Sequence, residues 1–471
     1  MTEQQSDAFI FFGATGDLAF KQIFPALRDL VRDEGLNVPI IGVAKAGWNL
    51  EQLRARAKDS LDQHGGADPE TLRKLLGLLH YVDGDYADPA TFAQLHQELG
   101  AACRPLHYLA IPPNLFATVV EGLAASGIAT NARVVVEKPF GHDLESAVAL
   151  NAILHRCFPE ESIFRIDHSL GKEPVQNILY TRFSNPMFEP IWNRTYVRSI
   201  QITMAESIGV LDRGRFYDGT GAVRDVVQNH LLQVLAILTM DPPTGEKAEA
   251  VRDEKVRLLK AVRPIATADI VRGQYAGYRA VPGVSADSAT ETFFAARLYI
   301  DTWRWAGVPI YMRAGKKLPV TATEVWVEFA RPPRETFGEN VPAASAHMRM
   351  RISPDIEIGL GLRVKEPGER MAGKDVELIL TRAGAANRPP YQRLLGDALR
   401  GIAQLFARED FVEAQWRVVA PILGDVAPLH SYAVGTWGPK EAGRLVGAGD
   451  VWLNPTPPPS ASPAHGTASA R

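Results

Sequence analysis

The sequence AFIFF at residues 8–12, followed directly by GATGDLA at residues 13–19, decides the predicted fold. The first run is apolar and aromatic, as in a buried strand, and residues 23–31 then show the apolar spacing of a helix. Glycines permit a tight turn and a close approach of the backbone to phosphate, and the small third residue, Ala19, allows the helix to pack closely on the strand. An ordinary turn into a helix gives the same short pattern. The strand–turn–helix context nevertheless favours a pyrophosphate site at the helix N-terminus.

The first third of the chain alternates strands with helices. Candidate buried strands are VPIIGV at 38–43, LHYLAI at 106–111 and RVVV at 133–136, and helical stretches such as 115–123 lie between them. This alternation predicts a parallel, doubly wound sheet, and hence an α/β Rossmann-like domain over residues 1–165.

From about residue 197 the pattern changes. Strand-like runs follow one another without regular helices between them, at 197–204, 295–300, 324–329, 348–352 and 376–380. They predict a larger α+β domain with a mostly antiparallel sheet, over residues 166–455. Helices are expected at 222–238 and 389–405. The Pro-, Ser- and Ala-rich residues 456–471 are predicted to form a disordered tail.

Composition limits the class of protein. The 471 residues carry a net charge of −3, with 46% hydrophobic and 22% charged residues, a globular balance without a broad basic surface for nucleic acid. The two cysteines, Cys103 and Cys157, cannot build a disulfide framework or a thiolate zinc site, which suits a reducing cytoplasm. The N-terminal segment lacks the basic flank of a signal peptide, and no apolar stretch has the length of a membrane span.

Lys45 follows the second predicted strand, at the position where nucleotide enzymes recognise the ribose of the cofactor. NAD enzymes usually place Asp or Glu there, whereas NADP enzymes place a cation for the 2′-phosphate. This strand end has Lys45 and no acid before Glu51. NADP is therefore favoured, and a solvated surface lysine is the alternative.

Lys138 lies in EKPFG at 137–141, at the carboxyl end of the RVVV strand. Doubly wound folds bind their ligands at this edge of the sheet, so Lys138 is a candidate to contact cofactor and substrate together. Pro139 restricts the backbone there. A Lys-Pro pair after a strand is also common in plain turns.

The stretch RIDHSLGKE at 165–173 concentrates acid, base and cation. Asp167 and His168 are adjacent, so their side chains cannot serve one point in the same way, and Asp167 suits the orientation of another imidazole. His168 and Lys172 can both donate to an anion, and phosphate favours such charge-assisted bonds. A surface turn is the alternative.

Two further candidates depend on contacts that sequence spacing cannot show. His230 ends DVVQNH at 225–230 in an apolar helical pattern, where a satisfied core histidine is the first expectation. It becomes a general-base candidate if Asp167 holds its tautomer. Lys316, in VPIYMRAGKKL at 308–318, can reach a substrate oxygen, with a solvated strand-end lysine as the alternative.

Taken in order, these motifs resemble the glucose-6-phosphate dehydrogenase family, especially its actinobacterial type. The resemblance runs from about residue 8 to residue 455. It includes GATGDLA, EKPFG, RIDHxLGKE, DVVQNH, VPIYMRAGKKLP, LFARED at 405–410 and GTWGP at 435–439. RIDHxLGKE is highly specific to the family.

The resemblance implies oxidation of β-D-glucose 6-phosphate at C1 to 6-phosphogluconolactone with formation of NADPH, the first step of the pentose phosphate pathway. His230 would be the general base, and Asp167 would orient it and stabilise its imidazolium. The substrate would meet His168 and Lys172 at its phosphate, and Glu206, Asp225 and Lys316 at its sugar. The cofactor would be held by Gly13, Ala14, Thr15, Gly16, Asp17, Leu18, Ala19, Phe20, Lys45 and Lys138, with Asp85 and Tyr86 as further candidates. A homodimer or homotetramer formed through the large sheet is implied.

Three positions depart from the family's pattern at the sugar-phosphate end. Gln22 stands where a substrate-site lysine is expected, Ser169 where the motif usually has Tyr or Phe, and Thr321 where a second basic residue often follows. Lys45 stands where Arg is common. These departures leave open a dehydrogenase of an unphosphorylated or differently substituted hexose. A cofactor-binding protein without turnover is a third possibility, although such a protein has no need of a base such as His230.

Overall fold

The computed structural model describes residues 5–167, 170, 173–334, 336–338, 342, 345–381, 388–447 and 450–457. The chain forms two compact units, each made of three segments. The first contains Met1–Gln176, Thr239–Lys260 and Ala386–Arg417, and the second contains Asn177–Leu238, Ala261–Ala385 and Val418–Arg471.

The elements of the described residues are as follows. The strands are β1 (Ala8–Phe12), β2 (Ile40–Ala44), β3 (Leu79–Asp83), β4 (Pro105–Leu109), β5 (Arg133–Glu137), β6 (Ile163–Ile166), β7 (Val197–Ala205), β8 (Ile270–Tyr275), β9 (Phe293–Leu298), β10 (Ile310–Gly315), β11 (Ala322–Phe329), β12 (His347–Ser353), β13 (Glu357–Lys365), β14 (Gly373–Thr381), β15 (Phe406–Ala407) and β16 (Leu429–Tyr432). The α-helices are α1 (Phe24–Asp33), α2 (Leu50–Gln63), α3 (Pro69–Leu78), α4 (Pro89–Leu99), α5 (Phe116–Ala125), α6 (Leu144–His155), α7 (Glu173–Ser184), α8 (Gly214–Asp218), α9 (Leu232–Thr239), α10 (Ala248–Ala261), α11 (Pro390–Arg400) and α12 (Glu409–Val419). Two π-helices, Ala19–Ile23 and Val223–Leu231, directly precede α1 and α9.

The sheet of the first unit has the order β3-β2-β1-β4-β5-β6-β15, and all its pairs are parallel except that of β15 with β6. Every residue of β1, β2 and β4 is buried, as expected for strands covered on both faces. The predicted doubly wound fold is confirmed. The strand order reverses between β1 and β4, and such a switch point opens a ligand crevice at the carboxyl ends of the strands.

Later segments of the chain complete the first unit. Leu394 and Leu395 of α11 join the core cluster that holds Phe9 and Phe11 of β1, and α11 packs against α1. β15 adds an antiparallel edge strand. The division into continuous domains 1–165 and 166–455 therefore differs from the observed units, because sequence order does not show that α11 and β15 return to the first sheet.

The sheet of the second unit has the order β14-β13-β12-β11-β7-β10-β9-β8-β16. Its pairs are antiparallel except β10 with β7 and β16 with β8. This confirms the mostly antiparallel sheet, although several strands begin or end a few residues away from their predicted bounds. β14, for example, is Gly373–Thr381 rather than 376–380.

Two predicted helices differ in detail. The one expected at 222–238 begins as a π-helix, Val223–Leu231, and continues as α9. The one expected at 389–405 ends at Arg400, because Gly401 adopts a left-handed conformation (φ +79°) that closes the helix. Of the predicted tail, residues 458–471 lie outside the described part of the chain. Among the described residues, no helix combines the length and the apolar character needed to cross a membrane.

Candidate functional site

Gly13 begins the turn after β1 with φ +82°. A Cβ atom there would lie 2.3 Å from the carbonyl oxygen of Ala110, so the close approach to the β4 end requires glycine. Its N–H donates to the carbonyl of Val43 and to the hydroxyl oxygen of Tyr86, at 2.9 Å each. The Tyr86 hydroxyl in turn donates to the carbonyl of Val43 at 3.2 Å. Tyr86, a predicted cofactor residue, thus supports the glycine turn itself.

The rest of the turn divides into packed and open residues. Ala14 and Ala19 are fully buried in the core, as expected for small residues between helix and strand. Gly16 and Asp17 are exposed, and Thr15 and Leu18 are partly buried. Phe20 is buried beneath the Arg56 guanidinium, 4.1 Å from its ring centre. The exposed backbone at Gly16 and Asp17 is therefore the part of the turn that a phosphate can reach.

Lys45 forms an ion pair with Asp85, with 2.7 Å between Nζ and Oδ2. Asp83 accepts the backbone N–H groups of residues 46, 47 and 48 at 3.0, 2.8 and 3.3 Å. The strand end has no acid before Glu51 in the sequence, but in the folded chain Asp85 lies beside Lys45. β2 and β3 are parallel neighbours, with Ala44 opposite Asp83, so their carboxyl ends meet at one edge. The amide of residue 87 and the Lys45 ammonium hold the pKa of Asp85 below its usual value.

Glu137 ends β5, immediately before Lys138. Its carboxylate accepts hydrogen bonds from the hydroxyls of Tyr108 on β4 and Tyr391 on α11, the latter at 3.1 Å. Burial raises the pKa of Glu137 to about 7. Sequence reasoning missed this group, although an acid at the carboxyl end of a buried strand is a usable signal. Lys138 itself is partly buried.

Asp167 follows β6 and is only 3% exposed. Its carbonyl accepts the N–H of Leu170 at 3.0 Å. His168 and Lys172, the predicted phosphate ligands, and Ser169 lie outside the described residues. Their predicted roles stay predictions.

Glu206 and Lys316 meet because of strand register. β7 and β10 are parallel with Ala205 opposite Gly315, so the two residues leave adjacent strand ends side by side. The Lys316 ammonium donates to the Glu206 carboxylate and lies 3.9 Å from Oδ2 of Asp225. Glu206, Asp225 and Lys316 are here called the sugar cluster, after their predicted role, which stays a prediction. The cluster consists of two carboxylate acceptors around one ammonium group.

The π-helix Val223–Leu231 positions both Asp225 and His230, about one turn apart. It packs against β10, the strand that precedes Lys316. His230 is 5% exposed, which is the burial expected of a core histidine as well as of a sheltered base. His230 belongs to the second unit and Asp167 to the first, so their pairing stays a prediction.

Glu291 supports this π-helix and was missed by sequence reasoning. Its Oε1 accepts the N–H of Val223 at 3.1 Å, and burial raises its pKa. A Cβ atom on Gly221 (φ +71°) would lie 2.4 Å from the same oxygen, so glycine makes room for it. An acid just before the buried strand β9 was the available signal.

Two of the positions that depart from the family pattern are described. Thr321 is exposed, and its hydroxyl accepts the N–H of Ser207 at 2.9 Å and shares a hydrogen bond of 2.7 Å with the Ser207 hydroxyl. It therefore lies beside the segment that follows Glu206. Gln22 is exposed on the first π-helix.

Comparisons with known families cover almost the whole chain. The family model described as "Glucose-6-phosphate dehydrogenase, NAD binding domain" matches residues 10–177. The model described as "Glucose-6-phosphate dehydrogenase, C-terminal domain" matches residues 179–452.

Individual relatives agree with these matches. The chain is 46% identical over 453 residues to glucose-6-phosphate 1-dehydrogenase 1 of Mycobacterium tuberculosis, covering 96% of this chain and 97% of that protein. It is 41% identical over 481 residues to glucose-6-phosphate 1-dehydrogenase of Aggregatibacter actinomycetemcomitans, covering 95% and 97%.

Solved structures are similar over the same extent. The crystal structure of glucose-6-phosphate 1-dehydrogenase from Mycobacterium avium superposes with a TM-score of 0.90 at 45% identity, covering 96% of this chain and 99% of that one. A glucose-6-phosphate dehydrogenase in complex with its substrate glucose-6-phosphate superposes with a TM-score of 0.88 at 35% identity, covering 96% and 100%.

Proposed function

The chain belongs to the glucose-6-phosphate dehydrogenase family, and we propose how its residues divide the work of that reaction. The enzyme oxidises β-D-glucose 6-phosphate at C1 to 6-phosphogluconolactone and passes the hydride to NADP. The observation that carries the division of roles is that Lys316 contacts both Glu206 and Asp225, and that Asp225 lies on the π-helix of His230. All four residues belong to one unit.

His230 is the general base that removes the proton of the C1 hydroxyl while the hydride leaves C1. A general base typically contributes about 10²- to 10⁴-fold to the rate. Asp167 fixes the tautomer of His230 and stabilises the imidazolium that forms. The burial of both side chains supports these roles, since water competes poorly for sheltered groups.

The sugar cluster binds hydroxyl groups. Lys316 donates, while Glu206 and Asp225 accept, which suits a polyol ring. With one cation and two carboxylates the cluster carries a net charge of −1, and it therefore repels a phosphate dianion. This charge supports a phosphate site elsewhere, at His168 and Lys172.

The glycine turn and its neighbours fit a dinucleotide. Gly13 leaves no room for a Cβ, and the backbone beyond it is exposed at Gly16 and Asp17. The cofactor edge of the first sheet is completed by Thr15, Phe20, Tyr86 and Lys138. Lys45 recognises the 2′-phosphate, which competes with the Asp85 carboxylate for the Lys45 ammonium. Bound NADP supplies the hydride acceptor, and these residues hold and orient it.

We further assign a homo-oligomer, dimer or tetramer, formed through the second sheet. Leu360 lies opposite Leu378 and Ile358 opposite Leu380, so one face of β13 and β14 is apolar. Leu378 is 59% exposed and Leu380 is 70% exposed. An exposed apolar face on an edge strand is a typical interface between copies of a chain.

We also place the enzyme in the cytoplasm. Both cysteines are free thiols, and Cys103 is exposed. Exposed thiols persist in a reducing compartment. Fractionation of cells into cytoplasm and envelope checks the assignment, and recovery in the envelope fraction would contradict it.

A steady-state assay of the purified enzyme with glucose 6-phosphate and glucose, each with NADP and NAD, tests the proposal. We expect the highest kcat/KM for glucose 6-phosphate with NADP. Equal or higher kcat/KM for glucose would favour the unphosphorylated-hexose alternative suggested by Gln22, Ser169 and Thr321. Cofactor binding without turnover of either sugar would favour a silent binder.

A further inference from the structure

Tyr217 is a buried aromatic residue that has no part in the roles described above. It lies on α8 and is 3% exposed. The ammonium of Lys316 lies over its ring, with 5.0 Å between Nζ and the ring centre. A lysine ammonium within about 6 Å of the centre of an aromatic ring is attracted by the negative face of that ring. Lys316 therefore contacts an aromatic side chain in addition to Glu206 and Asp225.

The position of the Tyr217 ring is set by the core of the second unit. Tyr217 belongs to a buried cluster that also holds Tyr278 and Ala205, the last residue of β7. The rings of Tyr217 and Tyr278 meet edge to face, with 6.3 Å between their centres. The Tyr278 hydroxyl donates to the carboxylate of Asp218, the residue after Tyr217, at 3.0 Å. Tyr217 is thus fixed by contacts that do not involve Lys316.

The backbone of Lys316 is fixed independently of its side chain. Its N–H donates to the carbonyl of Thr292 at 2.9 Å, and its carbonyl accepts a hydrogen bond of 2.7 Å from the Tyr432 hydroxyl. These two bonds determine where the flexible four-carbon stem of the lysine begins. The contacts of the ammonium with two carboxylates and with the Tyr217 ring determine where the stem ends.

The attraction comes from the aromatic face of Tyr217 and not from a phenolate. Burial, followed by the charge of Asp225, raises the pKa of the Tyr217 hydroxyl well above its usual range. The hydroxyl therefore keeps its proton near neutral pH. An ammonium group has three N–H donors, and Glu206 accepts a hydrogen bond from Lys316. Because the aromatic face attracts the cation as a whole, donors remain for a sugar hydroxyl.

We propose that Tyr217 is a positioning residue for the sugar, whose aromatic ring holds the Lys316 ammonium beside Glu206 and Asp225 so that Lys316 donates to a substrate hydroxyl. This inference rests on the proposed function, in which the sugar cluster binds the substrate. Without the aromatic face, the lysine stem loses more conformational freedom when the sugar binds, and binding weakens. A contact that acts equally on bound substrate and transition state changes KM and leaves kcat nearly unchanged.

Steady-state kinetics of Tyr217→Leu, which keeps an apolar side chain without an aromatic face, test the inference. We expect the KM for glucose 6-phosphate to rise by about five- to thirtyfold, as for the loss of a shielded cation–π contact. The kcat and the KM for NADP should hardly change. Tyr217→Phe, the conservative variant, restores the aromatic ring and should rescue the KM.

Tyr311→Leu is the matched control for removing a buried tyrosine ring from the second unit. Tyr311 is 2% exposed and precedes Lys316 on β10, but its ring lies against Trp452, with 5.9 Å between the ring centres. Its replacement should leave the KM for glucose 6-phosphate unaltered. An unaltered KM in Tyr217→Leu, or an equal rise in Tyr217→Phe or in Tyr311→Leu, overturns the inference.

Fluorination of the ring at position 217 separates the positioning of Lys316 from packing, because fluorine changes the charge of the aromatic face and hardly changes its shape. Phenylalanine with one, two or three ring fluorine atoms, incorporated at this position, weakens the negative face stepwise. We expect the logarithm of the KM for glucose 6-phosphate to rise with each added fluorine. An equal KM across the series means that Tyr217 acts by packing alone, and overturns the inference.

Lys316→Met separates failure of this inference from failure of the proposed function. If Tyr217 acts through Lys316, adding Tyr217→Leu to Lys316→Met raises the KM no further, and a further rise as large as in the parental enzyme overturns the inference. A near-normal KM in Lys316→Met would remove Lys316 from the sugar site, and the inference with it. A strong rise in Lys316→Met with an unaltered KM in Tyr217→Leu would overturn only the role of Tyr217.

Discussion

The ammonium of Lys45 lies 2.7 Å from the carboxylate of Asp85, at the edge where β2 and β3 end together. This pair holds the cation expected to recognise the 2′-phosphate of NADP. The phosphate must therefore compete with a carboxylate for Lys45. Because Lys45 is 71% exposed and Asp85 47% exposed, the competition is weak and the pair can open.

Substitutions at this pair should change the affinity for NADP and not for NAD. Lys45→Ala should raise the KM for NADP by about tenfold, the cost of one charge-assisted contact, and hardly alter that for NAD. Asp85→Asn should lower the KM for NADP by about two- to fivefold, since exposed pairs are worth up to about 1 kcal/mol. Lys58→Ala, which breaks an exposed Lys58–Asp62 pair on α2, is the control. Equal effects on the two cofactors would refute the 2′-phosphate role.

Thr321→Lys should strengthen binding of the phosphorylated substrate. A new cation at the expected phosphate end adds a contact worth about 1.5–3 kcal/mol, so the KM for glucose 6-phosphate should fall by about tenfold or more. Glucose kinetics should hardly change. Ser207→Ala removes the side-chain bond to Thr321 without adding charge, and should not reproduce the fall. An unaltered KM would mean that Thr321 does not face the phosphate or that Lys21 or Lys317 already serves it.

Glu137 should make the folded protein less stable as the pH rises from 4.5 to 7. Its native pKa is raised from 4.5 to about 7, so in this window the native state holds a proton that the unfolded state has lost. The contribution of Glu137 to the free energy of unfolding is fully present below pH 4.5 and is lost as the pH rises through 7. It amounts to up to about 3 kcal/mol. Over this pH range, urea unfolding should show a smaller fall in the free energy of unfolding for Glu137→Gln than for the exposed control Glu161→Gln. Parallel curves for the two variants would contradict the raised pKa.

The apolar face of β13 and β14 should hold copies of the chain together. Leu378→Asp and Leu380→Asp place a charge in the proposed interface, where an unpaired buried charge is strongly unfavourable. Analytical ultracentrifugation should show smaller assemblies for both. Val434→Asp, at a residue 54% exposed in a turn, should keep the parental mass. A parental mass for Leu378→Asp and Leu380→Asp would exclude this face.

Local patterns in the sequence predicted the elements that position the site. The run AFIFF predicts β1 because a buried strand is built of apolar residues. The glycines that follow predict the turn because a positive φ favours glycine. The register of β7 with β10 then brings together Glu206 and Lys316, two residues that the family resemblance assigned separately to the sugar.

Contacts between distant segments could not be predicted in this way. Lys45 and Asp85 are separated by 40 positions, and Glu137 and Tyr391 by 254. Such groups are brought together by the order of strands in the sheet and by helix packing. Neither of these can be predicted from the local periodicity of the sequence.

His230→Asn tests the central claim most directly, since it removes the base and keeps a polar side chain of similar shape. His107→Asn, at a buried imidazole on β4 that contacts the Ile128 carbonyl at 3.0 Å, controls for the general cost of replacing a buried histidine. For His230→Asn we predict that kcat falls by roughly 10²- to 10⁴-fold while glucose 6-phosphate and NADP still bind. A variant that binds both ligands and keeps near-normal kcat would contradict the account.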